Sequence, residues 1–316
     1  MGREDSWAEV RVLVIGFNAD GQSAADNLLH LGADVAVLDP AGHASTIEFA
    51  ELLRVLGVDV LRGAGAAQPG IEWLAGRGWD LIIDTGELAN RDLVRAVADL
   101  YPDAIRMSPL DLARQFEPDQ GWLLVGARDG ADSHASQIAL GAAAMLRAGG
   151  ATAAPTGDRS AMELVMEPER YDALVVLVTP EVLAVSGSLR PLAACVLEGV
   201  EGLASAFTDV ERACIYKPQD AATEDMVREA DVIEGARAIG ISVGTPGLSM
   251  LGVVEDVLCD RAFVENRQTS AAEICTLADL RNSDEAGVEE VLASVALARA
   301  YGVALAEIRL AISETF

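Results

Sequence analysis

The fold turns on the stretch Trp122–Gly150, WLLVGARDGADSHASQIALGAAAMLRAGG. Trp122 to Val125 is an apolar run with the character of a buried strand, Gly126 to Ser133 is a loop, and Ala135 to Leu146 is an alanine-rich run of high helix propensity. Strand, glycine-bearing loop and helix, in that order, cradle a nucleotide phosphate when loop amides and the positive helix end face the anion. The layout is present here without the chemistry. A phosphate loop places a lysine on the β- and γ-phosphates and follows it with a hydroxyl for magnesium. This loop reads GARDGADS, with Gly126, Arg128, Asp129, Gly130, Ala131, Asp132 and Ser133 as its informative positions. Ala131 stands at the lysine position and Asp132 at the next. Asp129 and Asp132 put two carboxylates where a triphosphate would go, and like charges ~4 Å apart cost about 4 kcal/mol at an effective dielectric of about 20. The spacing therefore predicts a degenerate phosphate loop in an α/β domain.

Moving outward, the chain opens with a second strand–loop–helix unit. Val10 to Ile15 reads as a buried parallel strand, GFNADG follows, a helix is expected over Gln22 to Leu31, and a strand over Ala33 to Leu38 ends in Asp39. This is a Rossmann-like βαβ unit carrying part of the dinucleotide fingerprint. Gly16 and Gly21 hold the first and last glycine positions, Asn18 replaces the middle one, and Asp39 follows Gly16 by 23 residues, near the spacing of an acid that binds a ribose hydroxyl. Asp20, placed just before the helix, is expected to cap its free amides and repel a pyrophosphate. Ala19, Thr85 and Gly86 complete the strand-end positions where an open α/β sheet binds ligands.

Further αβ units follow. Helices are expected over Ala44–Leu56, Gly70–Ala75, Asn90–Leu100 and Pro109–Gln115, with strands over Val58–Leu61, Leu81–Ile83 and Ala104–Arg106. The polar run FEPDQG, Phe116 to Gly121, marks a boundary between domains of 1–117 and 118–316. Beyond it, strands are expected at Ala173–Val178, Ala193–Leu197, Ala213–Tyr216, Ala238–Val243 and Leu251–Val254. Helices are expected at Glu224–Ala230, Asp284–Ala300 and Leu305–Ile312.

Composition narrows the classes. Fifty Asp and Glu against 23 Lys and Arg leave a net charge of −27, which disfavours nucleic acid and anionic membranes as partners. No run reaches the ~18 apolar residues of a membrane span, and the charged N-terminus does not read as a secretory signal. Cys195, Cys214, Cys259 and Cys275 are widely spaced and read as reduced core residues of a cytoplasmic protein. His30, His43 and His134 form no metal or triad spacing, so no metal site is expected. Lys217, in IYKPQD, is the single lysine, outside any glycine-rich loop.

In this order of elements the chain resembles the Mur ligases, in particular those joining D-glutamate to UDP-N-acetylmuramoyl-L-alanine. The similarity rests on VLVIGFNADGQSAADNLLHLGADVAVLD, WDLIIDTGELANRDLVRAV, IYKPQD, ISVGTPGLSMLGVVEDVL and the helix ending ALARAYGV. It implies a Rossmann-like first domain that takes a uridine nucleotide at Gly16, Asn18, Ala19, Asp20, Gly21, Asp39, Thr85 and Gly86, and a central ATP-binding domain. The family's catalytic positions are altered. Its magnesium-binding Glu falls near Leu177, its Asp–His pair on Gly202 and Leu203, its carbamylated lysine near Arg212, and its Gly–His–Asn turn on Asp284 to Gly287. The family's third domain would begin where this chain reaches Phe316. Arginine stays protonated and forms no carbamate. The resulting expectation is a catalytically inactive Mur-ligase-like protein that needs neither ATP nor magnesium, though a UDP-sugar remains compatible with its first domain. It would serve as a scaffold, regulator or binding module, with itself or a cell-wall synthesis enzyme as partner. An active ATP-dependent ligase and a nicotinamide-dependent oxidoreductase are the alternatives.

Overall fold

A computed structural model describes residues 2–63, 66, 73–74 and 76–315. They form two compact units. The first holds residues up to Asp119 together with Asp158–Glu169 and Glu181–Gly187, and the second holds Gln120–Gly157, Arg170–Pro180 and the chain from Ser188.

The first unit is built on a parallel sheet of β1 (Arg11–Ile15), β2 (Asp34–Asp39), β3 (Asp59–Arg62), β4 (Leu81–Asp84) and β5 (Ile105–Met107), in the order β3-β2-β1-β4-β5. β1 lies at the centre, and Val12, Leu13, Val14 and Ile15 are all fully buried because both sheet faces are covered. Helix α1 (Ala19–His30) follows β1 and turns Ala24, Ala25 and Leu28 inward. It begins three residues earlier than its apolar spacing suggests. Helix α2 (Ile47–Val55) follows a short 3₁₀ turn over Ala44–Thr46. Helices α3 (Arg91–Leu100) and α4 (Pro109–Phe116) complete the expected set, and Ser108 with Asp111 forms a capping box at the start of α4. The helix expected over Gly70–Ala75 falls largely outside the described residues.

The second unit carries a nine-stranded sheet. Its strands are β6 (Gly121–Gly126), β7 (Ala153–Pro155), β8 (Ala173–Val178), β9 (Ala193–Val196), β10 (Ala213–Tyr216), β11 (Arg237–Ile241), β12 (Met250–Val254), β13 (Val257–Asp260) and β14 (Ala272–Thr276). Their spatial order is β14-β13-β12-β11-β10-β9-β6-β8-β7. Pairing is parallel from β7 to β12 and antiparallel at β12–β13–β14. Helix α5 (Ser133–Ala148) follows β6 and packs against α9 (Glu285–Tyr301) and α10 (Leu305–Thr315), the other helices of the unit including α8 (Ala221–Glu229). Ala139, Ala142 and Ala143 on α5 and Ala293 and Ala296 on α9 are fully buried, so the two backbones approach closely without large side chains between them. The Ser294 hydroxyl donates to the Ile138 carbonyl across that contact at 3.1 Å.

Three strands and two short helices have no clear sequence signal: β7, β13, β14, α6 (Ala161–Val165) and α7 (Pro180–Leu183). The β12–β13 hairpin explains one omission. Its two-residue turn is Glu255–Asp256, with Glu255 at φ +57°, a conformation usually announced by Asn-Gly or Asp-Gly.

Candidate functional site

At the strand ends of the first unit, Gly16 adopts φ +100° and lies against Thr85, whose hydroxyl donates to the Ile15 carbonyl at 3.1 Å. A Cβ on Gly16 would stand 1.8 Å from the Thr85 Oγ1, and one on Gly21 would stand 2.5 Å from the Gly16 carbonyl oxygen. Both glycines are therefore required by the packing of β1, α1 and Thr85 itself. Thr85 is buried. Gly86, at φ +80°, lies under the Glu181 backbone, whose oxygen a Cβ would meet at 2.4 Å. Burial raises the neighbouring Asp84 carboxyl above its usual range although it accepts from the Gly86 amide.

Asp20 does not cap α1. The cap is Asn18, whose side chain accepts from the Gly21 amide at 3.0 Å, so the residue replacing the middle glycine of the fingerprint satisfies the helix end. Asp20 sits inside the first turn, partly covered, and desolvation raises its carboxyl. Asn18 and Ala19 remain exposed at this edge.

Asp39 is 2% exposed. Its carboxylate accepts from the Gly42 amide at 2.8 Å, the Arg62 guanidinium at 2.8 Å and the Thr46 hydroxyl at 3.3 Å. Arg62 also donates to the His43 carbonyl at 2.6 Å. Asp39 thus ties the loop after β2 to the end of β3 and offers no open carboxylate to a ribose hydroxyl. This removes the acid on which the nicotinamide reading depended.

In the second unit, the loop between β6 and α5 is closed by its own carboxylates. Asp132 caps α5, accepting from the Ala135 amide at 3.1 Å and, through its other oxygen, from the Arg128 amide at 3.1 Å. Asp129 accepts from the Ala131 amide at 2.8 Å. Arg128 pairs outward with Glu198 at 2.5 Å, which raises its guanidinium further above its ordinary value. Gly126 lies against Val196 and Leu203, Gly130 faces open space, and Ala131 and Ser133 are exposed. In this arrangement the amides of Arg128, Ala131 and Ala135, at the loop and the helix end, already hold side-chain oxygens.

A row of charges that sequence spacing does not reveal runs beside this loop. Lys217 pairs with Glu289 at 2.5 Å; Glu289, 7% exposed, reaches His134 at 4.0 Å; and the other ring nitrogen of His134 lies 3.1 Å from Glu290. Burial raises the Glu290 carboxyl, an effect that His134 partly opposes. Burial, and secondarily Glu289, pushes the Cys195 thiol upward. The signals available in sequence were the Glu289–Glu290 pair on α9 and the position of His134 next to the loop. Their meeting depends on the packing of α9 against α5.

The remaining positions named by the resemblance make the following contacts. The Arg212 guanidinium donates to the carbonyls of Ala300 and Tyr301 and so closes the end of α9. Leu177 donates its amide to Thr156 within the sheet, Gly202 takes φ +93° ahead of buried Leu203, and Asp284 caps α9 through the Gly287 amide at 2.9 Å.

No protein-family profile matches the chain. It is 35% identical over 321 residues to a UDP-N-acetylmuramoylalanine--D-glutamate ligase of Streptomyces avermitilis, covering 96% of this chain and 66% of that protein. The protein of the same name from Leifsonia xyli is 34% identical, with coverages of 94% and 62%. The chain thus spans just under two thirds of the length of these curated relatives. The fold resembles the UDP-N-acetylmuramate:L-alanyl-gamma-D-glutamyl-meso-diaminopimelate ligase from Neisseria meningitides, with a TM-score of 0.59, 15% identity and coverages of 97% and 98%. It also resembles a UDP-N-acetylmuramate-alanine ligase from Thermotoga maritima, with a TM-score of 0.51, 15% identity and coverages of 97% and 68%. These relatives correct one expectation. They are named as ligases, of a family whose central domain is an ATP domain, so the reading of a chain that takes neither ATP nor magnesium is withdrawn. With about a third of its residues shared along nearly its whole length, and the same order of elements, the chain belongs to the Mur ligase family.

Proposed function

We propose that this chain works in the cytoplasm at the D-glutamate-adding step of peptidoglycan precursor synthesis. Its activity on this reading is the ATP-dependent ligation of D-glutamate to UDP-N-acetylmuramoyl-L-alanine. The observation behind this is the 35% identity over 96% of the chain to a protein named for that reaction. On this reading the strand ends of the first unit, where Asn18 and Ala19 are exposed, take the uridine nucleotide.

A second reading has its own observation: Asp129 and Asp132 hold the amides of the loop after β6, and Ala131 stands where a cation would act on the phosphates. It makes the chain a non-catalytic member of the family, acting as a scaffold or regulator through a second copy or another cell-wall synthesis protein. One experiment separates the two. Purified protein is incubated with UDP-N-acetylmuramoyl-L-alanine, D-glutamate and MgATP, while phosphate release and a mass gain of one glutamyl residue are followed. Product and phosphate appearing in equal amounts support the ligase. Precursor binding without either supports the second reading and overturns the first.

A further inference from the structure

A group of arginines lies at the opposite strand ends of the second unit's sheet from the loop after β6, where β11 and β12 begin. Arg237 opens β11, Arg261 follows β13, Arg267 lies on the segment beyond, and Arg299 comes from α9. Their contacts make one cluster. The Arg237 guanidinium donates to the Ala262 carbonyl at 3.0 Å and lies 5.0 Å from the centre of the Phe263 ring. Arg299 lies 5.7 Å from the same ring and pairs with Asp260 at 3.3 Å. Arg261 donates to the carbonyls of Arg267, Gln268 and Pro246, and Arg267 donates to the Ser249 hydroxyl at 3.0 Å.

Among the described residues Arg237, Arg261 and Arg267, like Arg147, Arg212 and Arg309, form no ion pair with a carboxylate; what sets the three apart is that they lie together. Asp260, the one buried acid of the cluster, is taken up by Arg299 and by the amides of Ala262 and Phe263. Glu265, two residues from Arg267, and Glu234, three residues from Arg237, form no ion pair either. Burial holds the Arg237 guanidinium below its ordinary value, the nearby Arg267 charge adds to this, and the Asp260 charge partly opposes it. Carbonyl contacts fix Arg237 and Arg261 in place, so their charges are preorganised at no further ordering cost. Arg267 is exposed beside them.

We propose that Arg237, Arg261 and Arg267 form a second ligand site of this protein, for a compact oxyanion carrying phosphate or several carboxylates. Planar guanidinium groups bind such anions through paired, charge-assisted hydrogen bonds. The site lies across the sheet from the loop after β6, and the proposal is independent of which reading of that loop holds.

The test is calorimetric titration of the full chain at constant ionic strength, with sodium pyrophosphate in one arm and sodium citrate in the other. The expected result is saturable binding at one site in at least one arm. Pyrophosphate alone assigns a phosphate ligand, and citrate alone assigns a polycarboxylate. Arg267→Gln should weaken that binding at least about tenfold while the unfolding temperature is kept, because the side chain is exposed. Arg237→Gln should weaken it similarly, and Arg267→Glu abolishes it if the Arg237 variant fails to fold. The proposal is overturned if neither anion saturates, or if both Arg267 variants bind as the parent does. It is also overturned if binding is lost only on Arg128→Gln, which would place the anion at the loop after β6.

Discussion

The loop after β6 gives the sharpest prediction. Asp132→Asn keeps a cap acceptor for the Ala135 amide, since asparagine caps helices as well as aspartate does, and removes one negative charge. The asparagine NH2 cannot accept from the Arg128 amide as the second carboxylate oxygen does, so stability should fall by about 1 to 2 kcal/mol, one lost hydrogen bond together with the scale of an acid's interaction with a helix N-terminus. The effect on a nucleotide should be larger. A phosphate oxygen meeting these amides would come within ~4 Å of the carboxylate, where a unit charge costs about 4 kcal/mol at an effective dielectric of 20 and about 1 kcal/mol in bulk water. The loop is largely exposed, so the lower figure governs, and affinity for MgATP should rise about fivefold. Calorimetric titration of parent and variant at low and high salt is the assay, because screening should shrink the difference. A weaker affinity in Asp132→Asn would refute the argument, since the carboxylate would then be holding the metal and not repelling the phosphate.

Three further outcomes follow from named contacts. Gly16→Ala should cost more than about 3 kcal/mol in urea denaturation, because it combines φ +100° with a Cβ 1.8 Å from the Thr85 hydroxyl; Thr85→Ala in the same chain should recover only the clash. Arg62→Met should cost about 3 kcal/mol by leaving the Asp39 carboxylate buried beside only neutral donors, and a loss below about 1 kcal/mol would show that Asp39 reaches solvent. The Glu290 carboxyl is raised by burial, so its contribution is fully present below the unfolded-state value of 4.5 and is lost as pH rises through the higher folded value. Glu290→Gln should therefore lose less stability than the parent between mildly acidic and neutral pH, and equal losses in denaturant titrations would count against it.

Much of the fold is legible in the chain because its signals are local. The run from Val12 to Ile15 is uniformly apolar because β1 is covered on both faces, and Gly32 follows the end of α1 at φ +94°. The hairpin at Glu255 is hidden because a residue without glycine's freedom takes the left-handed position, and β7 is hidden because AAP carries almost no strand preference. The sequence points to Asp20 as the cap of α1, and the structure gives that place to Asn18, two residues earlier. Asn18 and Asp20 are both good caps by type, and only the backbone decides: Asn18 is extended at ψ −177°, while Asp20 is already helical.

The site is harder to read than the fold because residue type does not say which partner a group has. Asp39 stands where a ribose acid belongs, and its spacing from Gly16 is right. Arg62, 23 residues further on, takes the carboxylate, and nothing in a βαβ pattern announces that an arginine at the end of β3 will turn back across the sheet edge. The same holds for Lys217. As the only lysine it invites assignment to a phosphate, yet Glu289 binds it from a helix 72 residues away in sequence. Both cases share one physical cause. A buried carboxylate is costly without a cation, so each is settled by whichever guanidinium or ammonium the fold brings within reach. In a chain with 50 acids and 23 bases, nearly every base near a buried acid is claimed. Arg237, Arg261 and Arg267, like Arg212, bind carbonyls or a hydroxyl and no carboxylate, and what distinguishes the three is that they lie together in one cluster open to an anion from outside.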